Sequence, residues 1–479
     1  MLFRQIFDEK LAQYAYLIGC QKTKEALLVD PERDIDKYID LAQREDLEIV
    51  AVADTHIHAD YLTGMREFAE RGVKVFASDE GDDDWKYEWL RNSTGYQYQL
   101  LRDGDTFRIG HIEVTALHTP GHTPEHLSYL VTDLGGGAET PMGLASGDFV
   151  FVGDLGRPDL LESAAGMSDV MEPSARTLYR SVGRLLDLDD YVQVWPAHGA
   201  GSACGKALGA VPISTVGYER RFNAAIRASR DGEEAFVDYI LNGQPEPPMY
   251  FARMKRDNRI GPPVLGDLPN PHRLSATELG ALANRSDVAV LDTRLNRSAF
   301  MAGHLPGALY VPFDKAFNSV AGSFVAENTP IYLIIDPVHV AQAVRDLVRV
   351  GLDRIVAYAP PEALASYVDE GGCLAVIEEV TFDAMDDFCT REDVMILDVR
   401  GKAEYAEVHV PRAKNIAHSR LFLRQNEVPK GKPIVVHCQM GGRAAMAAAL
   451  LAHLGHKVVF VNGSIQKWAR ARRSASVQQ

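Results

Sequence analysis

The chain has 479 residues, too many for one hydrophobic core and enough for about three domains. Its 46% hydrophobic and 24% charged residues are ordinary globular proportions, and a formal net charge of −16 excludes the broad basic footprint of a nucleic-acid binder. Five cysteines (Cys20, Cys204, Cys373, Cys389, Cys438), odd in number and without framework spacing, point to free thiols in a reducing compartment. No run approaches the roughly 18 apolar residues of a membrane helix. Leu17-Ile18-Gly19-Cys20 looks like a lipoprotein box, but Asp8, Glu9, Lys10 and Gln13 leave no apolar region before it. The expected location is the cytoplasm, without a membrane partner.

The first 245 residues alternate short apolar runs with helical patterns. Strands are predicted at Phe3 to Ile6, Ala15 to Ile18 and Glu25 to Val29, and a helix at Ile35 to Arg44. The apolar run Leu47 to Ala53 ends at Asp54-Thr55-His56, helical spacing follows over Tyr61 to Arg71, and strands are predicted at Phe107 to Leu117 and Leu127 to Val131. Residues 246–272 are dense in Pro and Gly and are predicted to be a linker.

Beyond it the chain repeats itself. Val288 to Arg294 (VAVLDTR) and Gly303 to Ala308 in one half match Val394 to Arg400 (VMILDVR) and Val408 to Ala413 in the other. Each half then predicts a buried strand (Ile331 to Ile335; Pro433 to His437) leading into a helix (Val340 to Val350; Arg443 to Leu454). An offset of about 105 residues marks a duplicated domain rather than a solenoid repeat. The expected fold is multidomain α/β.

Four polar clusters stand on turns of the N-terminal part: Thr55-His56-Ile57-His58-Ala59-Asp60-Tyr61, His118-Thr119-Pro120-Gly121-His122-Thr123, Ser146-Gly147-Asp148 and Pro196-Ala197-His198-Gly199. Imidazole suits iron and zinc, and a carboxylate adds a hard anionic ligand. This set resembles the metallo-β-lactamase superfamily. With the start Phe3-Arg4-Gln5-Ile6-Phe7 and the run Asp148 to Asp159 (DFVFVGDLGRPD), it is most similar to the persulfide dioxygenases of that superfamily.

The resemblance implies an αβ/βα sandwich over residues 1–245. It also implies one Fe(II) held by His56, His122 and Asp148, with Asp154 as a competing carboxylate. His58, Asp60, Tyr61 and His198 are then supporting side chains or remnants of a second metal position. Two-zinc hydrolases of the superfamily carry His where Tyr61 stands, which turns the balance from thioester hydrolysis towards a single iron. The loop Gly199 to Lys206 offers backbone N–H groups and Lys206 for an anionic substrate, and Cys204 a redox thiol, against the alternatives of a plain turn and a buried cysteine.

In the last domain the predicted strand delivers Cys438 to the loop Gln439-Met440-Gly441-Gly442-Arg443 at a helix start. Loop amides and the helix N-terminus favour a thiolate there, and Arg443 adds a charge for thiosulfate or sulfite. The loop, with Leu397 to Arg400 and Glu404-Tyr405, resembles the rhodanese family over residues 375–479, which implies that Cys438 carries a persulfide. Asp398 and Arg400 are expected to tie the loop to the sheet. Residues 273–372 place Asp336 where the other half has cysteine, and read as an inactive rhodanese-like domain.

The whole order resembles bacterial persulfide dioxygenase–rhodanese fusions. That resemblance implies oxidation of a low-molecular-weight persulfide (of glutathione, coenzyme A or a similar thiol) by O2 to sulfite, with sulfane sulfur passed through Cys438 to or from sulfite and thiosulfate in sulfide detoxification, and a homo-oligomer is expected. The alternatives are a two-zinc glyoxalase II-like thioester hydrolase fused to a rhodanese, and a non-oxidative sulfur carrier or sensor.

Overall fold

The computed structural model describes residues 1–163 and 169–477. The chain divides into one unit of Met1–Asp267 with Val348–Gly351, and another of Leu268–Leu347 with Leu352–Gln479. The first unit is built on two six-stranded sheets. One carries β1 (Leu2–Asp8), β2 (Gln13–Gly19), β3 (Glu25–Val29), β4 (Glu48–Ala53), β5 (Lys74–Ser78) and β6 (Tyr98–Leu101) side by side in chain order. Its first two pairings are antiparallel and the next three parallel. The other holds β7 (Thr106–Ile109), β8 (Ile112–His118), β9 (Leu127–Asp133), β10 (Gly143–Gly147), β11 (Gln193–Pro196) and β12 (Ser214–Thr215), again neighbour to neighbour.

Strand periodicity explains how these sheets stack. Every residue of β2 is buried, as expected of a strand covered on both faces. Its alternate residues enter different cores. Tyr14, Tyr16 and Ile18 pack with Tyr129 and Trp195 between the sheets. Ala15 and Leu17 instead join Tyr38, Phe68 and Met65 under the helices Asp36–Arg44 and Met65–Glu70. The long helix Met171–Leu186 covers the outer face of the second sheet through Ala175, Leu178, Val182 and Leu185. Each fully buried Leu or Val contributes about 1.5–3 kcal/mol of transfer free energy. The result is the expected αβ/βα sandwich.

The second unit contains two five-stranded parallel sheets with one strand order. Residues 272–359 give β13 (His272–Arg273), β14 (Ala289–Asp292), β15 (Leu309–Tyr310), β16 (Ile331–Ile334) and β17 (Ile355–Ala359), ordered β13-β17-β16-β14-β15. Residues 378–461 give β18 (Glu378–Val380), β19 (Met395–Asp398), β20 (Lys414–Asn415), β21 (Ile434–His437) and β22 (Val458–Val461), ordered β18-β22-β21-β19-β20. The repeat read in the sequence is thus a repeat of topology.

Two expectations are corrected. The predicted linker 246–272 contains the helix Phe251–Ile260, which buries Phe251, Met254 and Asn258. The breakers flank that helix instead of interrupting it: Pro247 and Pro248 precede it, and Gly261, at φ 96°, ends it. The helical spacing over Tyr61 to Arg71 yields helix only at Met65–Glu70. The strand-rich segment expected over Phe107 to Leu117 is a hairpin, in which Gly110 (φ 55°) turns the chain between β7 and β8. No helix among the described residues is long and apolar enough to cross a membrane.

The two halves of the second unit share an internal tie. Arg400 Nε donates to Asp398 Oδ1 at 2.9 Å and its Nη2 to Oδ2 at 2.6 Å, with both side chains buried. Arg294 and Asp292 form the same fork at 2.9 and 2.7 Å. Removing one partner strands a buried charge, so Asp398→Ala is expected to destabilise its domain by about 3–5 kcal/mol. Pulse proteolysis in urea, scored on the C-terminal fragment, measures this as a lower midpoint.

Candidate metal centre and cysteine loop

The metal-type residues converge where strand ends of both sheets meet. Asp30, directly after β3, takes a left-handed conformation (φ 52°) that aspartate tolerates better than most residues. Its carboxylate accepts the Thr55 backbone N–H at 2.7 Å and the Thr55 hydroxyl at 3.0 Å. That hydroxyl, having donated to Asp30, accepts from His56 Nδ1 at 2.9 Å. His56 Nε2 is therefore left with a free lone pair. His122 is set likewise, its Nδ1 at 2.9 Å from the Arg157 carbonyl.

His56, His122 and Asp148 offer ligand atoms within 4.8 Å of one another, and all three residues are buried. Neither Asp148 oxygen has a hydrogen-bond partner. Burial pushes its carboxyl up to about 6 and the His122 imidazole down to about 4. A desolvated carboxylate facing two neutral imidazoles is the chemistry of a cation site, and these residues fit an iron or zinc ion. Asp154 lies elsewhere, accepting the backbone N–H groups of Leu155 and Ala207.

Asp60, His198 and Cys204 form a second buried cluster. His198 Nε2 lies 3.3 Å from Asp60 Oδ2 and 3.4 Å from Asp148 Oδ1, while Asp148 Oδ2 lies 3.4 Å from His122 Nε2. Asp148 thus faces both clusters. Cys204 is buried, as one of its two readings above expects, and stands in this donor set, where burial with Asp60 and Asp148 pushes its thiol well up. His58 stands in a third buried group, with Asp30 and Asp54, and Tyr61 packs beside it. His58 Nε2 lies 3.1 Å from Asp30 Oδ1, and the Tyr61 hydroxyl 3.1 Å from the same nitrogen.

Lys206 does not face the site. Its Nζ donates to the carbonyls of Tyr239 and Asn242, drawn there by the C-terminal end of the helix Glu233–Leu241. An anionic substrate finds no free cation at that lysine. Several supporting residues escaped the sequence reading. His126 accepts the Asp148 N–H at 3.0 Å, and its place four residues after His122 was an available signal. At Gly156 an added Cβ would stand 1.7 Å from the Asp148 carbonyl oxygen, so that position admits no side chain. Asn258, on the helix mistaken for linker, donates to the His58 and Tyr61 carbonyls at 2.8 Å each.

Cys438 follows β21 and is buried, and the Gly441 N–H donates to its sulfur at 3.1 Å. Gln439 lines the loop within 3.4 Å of Arg400 Nη1, Met440 is exposed at its lip, and Gly442 opens the helix Gly442–His453. Arg443, expected to offer a charge to thiosulfate or sulfite, is itself paired. It makes a two-bonded pair with Glu404 at 2.6 and 2.7 Å, which holds that carboxyl below the usual carboxylate range. In the other half Asp336 caps a short turn by accepting the Val338 N–H at 3.0 Å, and Pro337 follows. That half has no glycine cradle at the equivalent place.

The Asp30–Thr55–His56 relay makes a direct prediction. Thr55→Val keeps the shape and removes the hydroxyl, and metal affinity is expected to fall about 10–100-fold in chelator competition.

Residues 9–198 match the metallo-beta-lactamase superfamily, and residues 381–471 match the rhodanese-like domain. The chain is 27% identical over 252 residues to the mitochondrial persulfide dioxygenase ETHE1 of Bos taurus, covering 51% of this chain and 84% of the relative. It is 30% identical over 187 residues to a hydroxyacylglutathione hydrolase of Gloeobacter violaceus, covering 39% of this chain and 63% of that one. A solved metallo-beta-lactamase from Staphylococcus aureus subsp. aureus COL superposes with a TM-score of 0.67 at 39% identity, covering 75% of this chain and 99% of that structure. With its three buried donor groups where the strand ends of both sheets meet, its persulfide dioxygenase homologues and its cysteine loop, the chain belongs to the metallo-beta-lactamase superfamily and carries a rhodanese-like domain towards its C-terminal end.

Proposed function

We propose that this protein oxidises a low-molecular-weight persulfide with O2 at one iron(II) and transfers sulfane sulfur through Cys438. The observation that carries the first activity is the buried set of His56, His122 and Asp148, two imidazoles with their Nδ1 atoms engaged and a carboxylate with no hydrogen bond. A two-histidine, one-carboxylate set is the ligand pattern of non-haem iron oxygenases. Iron(II) held there supplies the redox chemistry that O2 activation needs.

The protein's part is to hold three donors on one side and leave the other open. Thr55, through Asp30, and the Arg157 carbonyl fix the two rings, and the buried surroundings exclude bulk water from the carboxylate. The overall change is RSSH + O2 + H2O giving RSH and sulfurous acid, which ionises to sulfite.

The second activity is carried by the loop around Cys438. The thiolate attacks the outer sulfur of thiosulfate, the S–S bond breaks, sulfite leaves with the electron pair, and Cys438 becomes a persulfide. The reverse sequence makes thiosulfate from sulfite. Residues 273–372, with Asp336 in the cysteine position, act as an inactive rhodanese-like domain, because a carboxylate repels sulfite and carries no sulfane sulfur.

One observation favours a second reading. Asp60, His198 and Cys204 supply a further donor set next to Asp148, as a two-metal thioester hydrolase requires. Metal analysis with a thioester assay separates the readings: one iron without hydrolysis supports the dioxygenase, and two metals with hydrolysis overturns it.

For the dioxygenase, iron-loaded protein given glutathione or coenzyme A persulfide is expected to consume O2 and form sulfite one-to-one. His122→Ala, or removal of the metal, is expected to lower oxygen uptake at least 100-fold, roughly 3 kcal/mol of barrier, and to leave sulfur transfer intact. Cys438→Ser is expected to do the reverse, abolishing thiosulfate:cyanide sulfurtransfer while oxygen uptake persists.

A further inference from the structure

The sulfur of Cys438 receives the N–H of Gly441 at 3.1 Å. That N–H belongs to the peptide joining Met440 to Gly441, whose oxygen is the Met440 carbonyl. A trans peptide is planar, with N–H and C=O pointing in opposite directions. Whatever grips the Met440 oxygen therefore also aims the Gly441 N–H.

The group that grips it comes from the half without a cysteine. Arg297, the first residue of the helix Arg297–Ala302, donates from Nη2 to the Met440 oxygen at 3.1 Å. The same guanidinium donates from Nε to Asn462 Oδ1 at 3.0 Å. Asn462 is held by its N–H on the Val380 carbonyl at 2.8 Å and by Nδ2 on Glu379 Oε1 at 2.6 Å. Ser298 donates to that Glu379 oxygen at 2.9 Å.

Gly441 takes φ 93°, and a Cβ there would stand 2.6 Å from Asn462 Oδ1 and 3.2 Å from the Arg297 guanidinium carbon. One glycine thus serves two needs. It allows the left-handed turn that brings its amide to the sulfur, and it lets the guanidinium approach the peptide. A charged donor on the carbonyl also polarises the peptide and strengthens its N–H as a donor. A stronger donor favours anionic sulfur over the neutral thiol or hydrosulfide.

We infer that Arg297 is a positioning residue for sulfur transfer, holding the Met440–Gly441 peptide so that its N–H stabilises the anionic sulfur carried by Cys438. This gives residues 273–372 a task in the chemistry of the other half, beyond spacing. The inference rests on Cys438 being the sulfur carrier.

The test uses the full chain and follows iodoacetamide modification of the Cys438-containing peptide by mass spectrometry across pH, beside thiosulfate:cyanide kinetics. Arg297→Gln is expected to raise the alkylation midpoint by about one pH unit and to lower kcat about tenfold, with KM for thiosulfate changed less than about threefold. Arg297→Lys, which keeps a charged donor without the fork, is expected to fall between Arg297→Gln and the unsubstituted protein. It carries the test alone if the glutamine variant does not fold. Ser298→Ala, which loosens the same cluster without touching Met440, is expected to keep the original midpoint.

An unchanged midpoint in both Arg297 variants would overturn the inference. So would a loss confined to KM, which makes Arg297 a substrate contact, or a Ser298→Ala shift as large as that of Arg297→Gln. Alkylation needs no turnover, so the two readings fail separately. Inactive unsubstituted protein with a shifted midpoint in Arg297→Gln counts against Cys438 as sulfur carrier and leaves the positioning intact.

Discussion

Between the two sheets of the first unit, one buried carboxylate organises the polar groups around it. Asp30 accepts the Thr55 N–H and hydroxyl and lies 3.1 Å from His58 Nε2. Through Thr55 it sets the tautomer of His56, and through His58 it meets the hydroxyl of Tyr61. A desolvated charge has few stable surroundings, and paired hydrogen-bond donors are among them. The turns after β3 and β4 are held together by that requirement. The metal-type donors beyond them inherit their directions from it.

The opposite condition holds at Asp148. Its oxygens are buried and have no donor, although its own backbone N–H is held by His126. Asp30 is satisfied by the fold, whereas the two Asp148 oxygens are left without a hydrogen bond. Both are aspartates near strand ends, and residue type alone does not separate them.

The second unit shows a duplicated scaffold whose halves have diverged at one loop. The Asp–Arg fork is present twice, at Asp292 with Arg294 and at Asp398 with Arg400. It belongs to the strand-to-loop junction of the fold and survives in the half that has Asp336 in place of cysteine. The loops differ because curling a backbone around one sulfur atom needs glycine, as at Gly441, while Asp336 and Pro337 build a capped turn. Arg297 then shows how a half without a cysteine still bears on the other, by satisfying a carbonyl that the curled loop turns outward.

By itself the sequence determined the elements whose signal is local. The apolar runs of β2, β4 and β21, the two LDxR segments and the His-rich turns were all legible, because period and turn chemistry act over a few residues. So was the cysteine loop, since its glycines and the helix start are adjacent in the chain. Tertiary structure alone decided which donors stand together. Cys204 joined Asp60 and His198, Lys206 turned to the carbonyls of Tyr239 and Asn242, and Arg443 paired with Glu404. The helix Phe251–Ile260, hidden among breakers, supplied Asn258 to a loop far back in the chain, 200 positions from His58 and 197 from Tyr61. Those outcomes depend on which partner a charge or amide meets after the chain has closed on itself. Residues far apart in sequence carry no local pattern that records such a meeting.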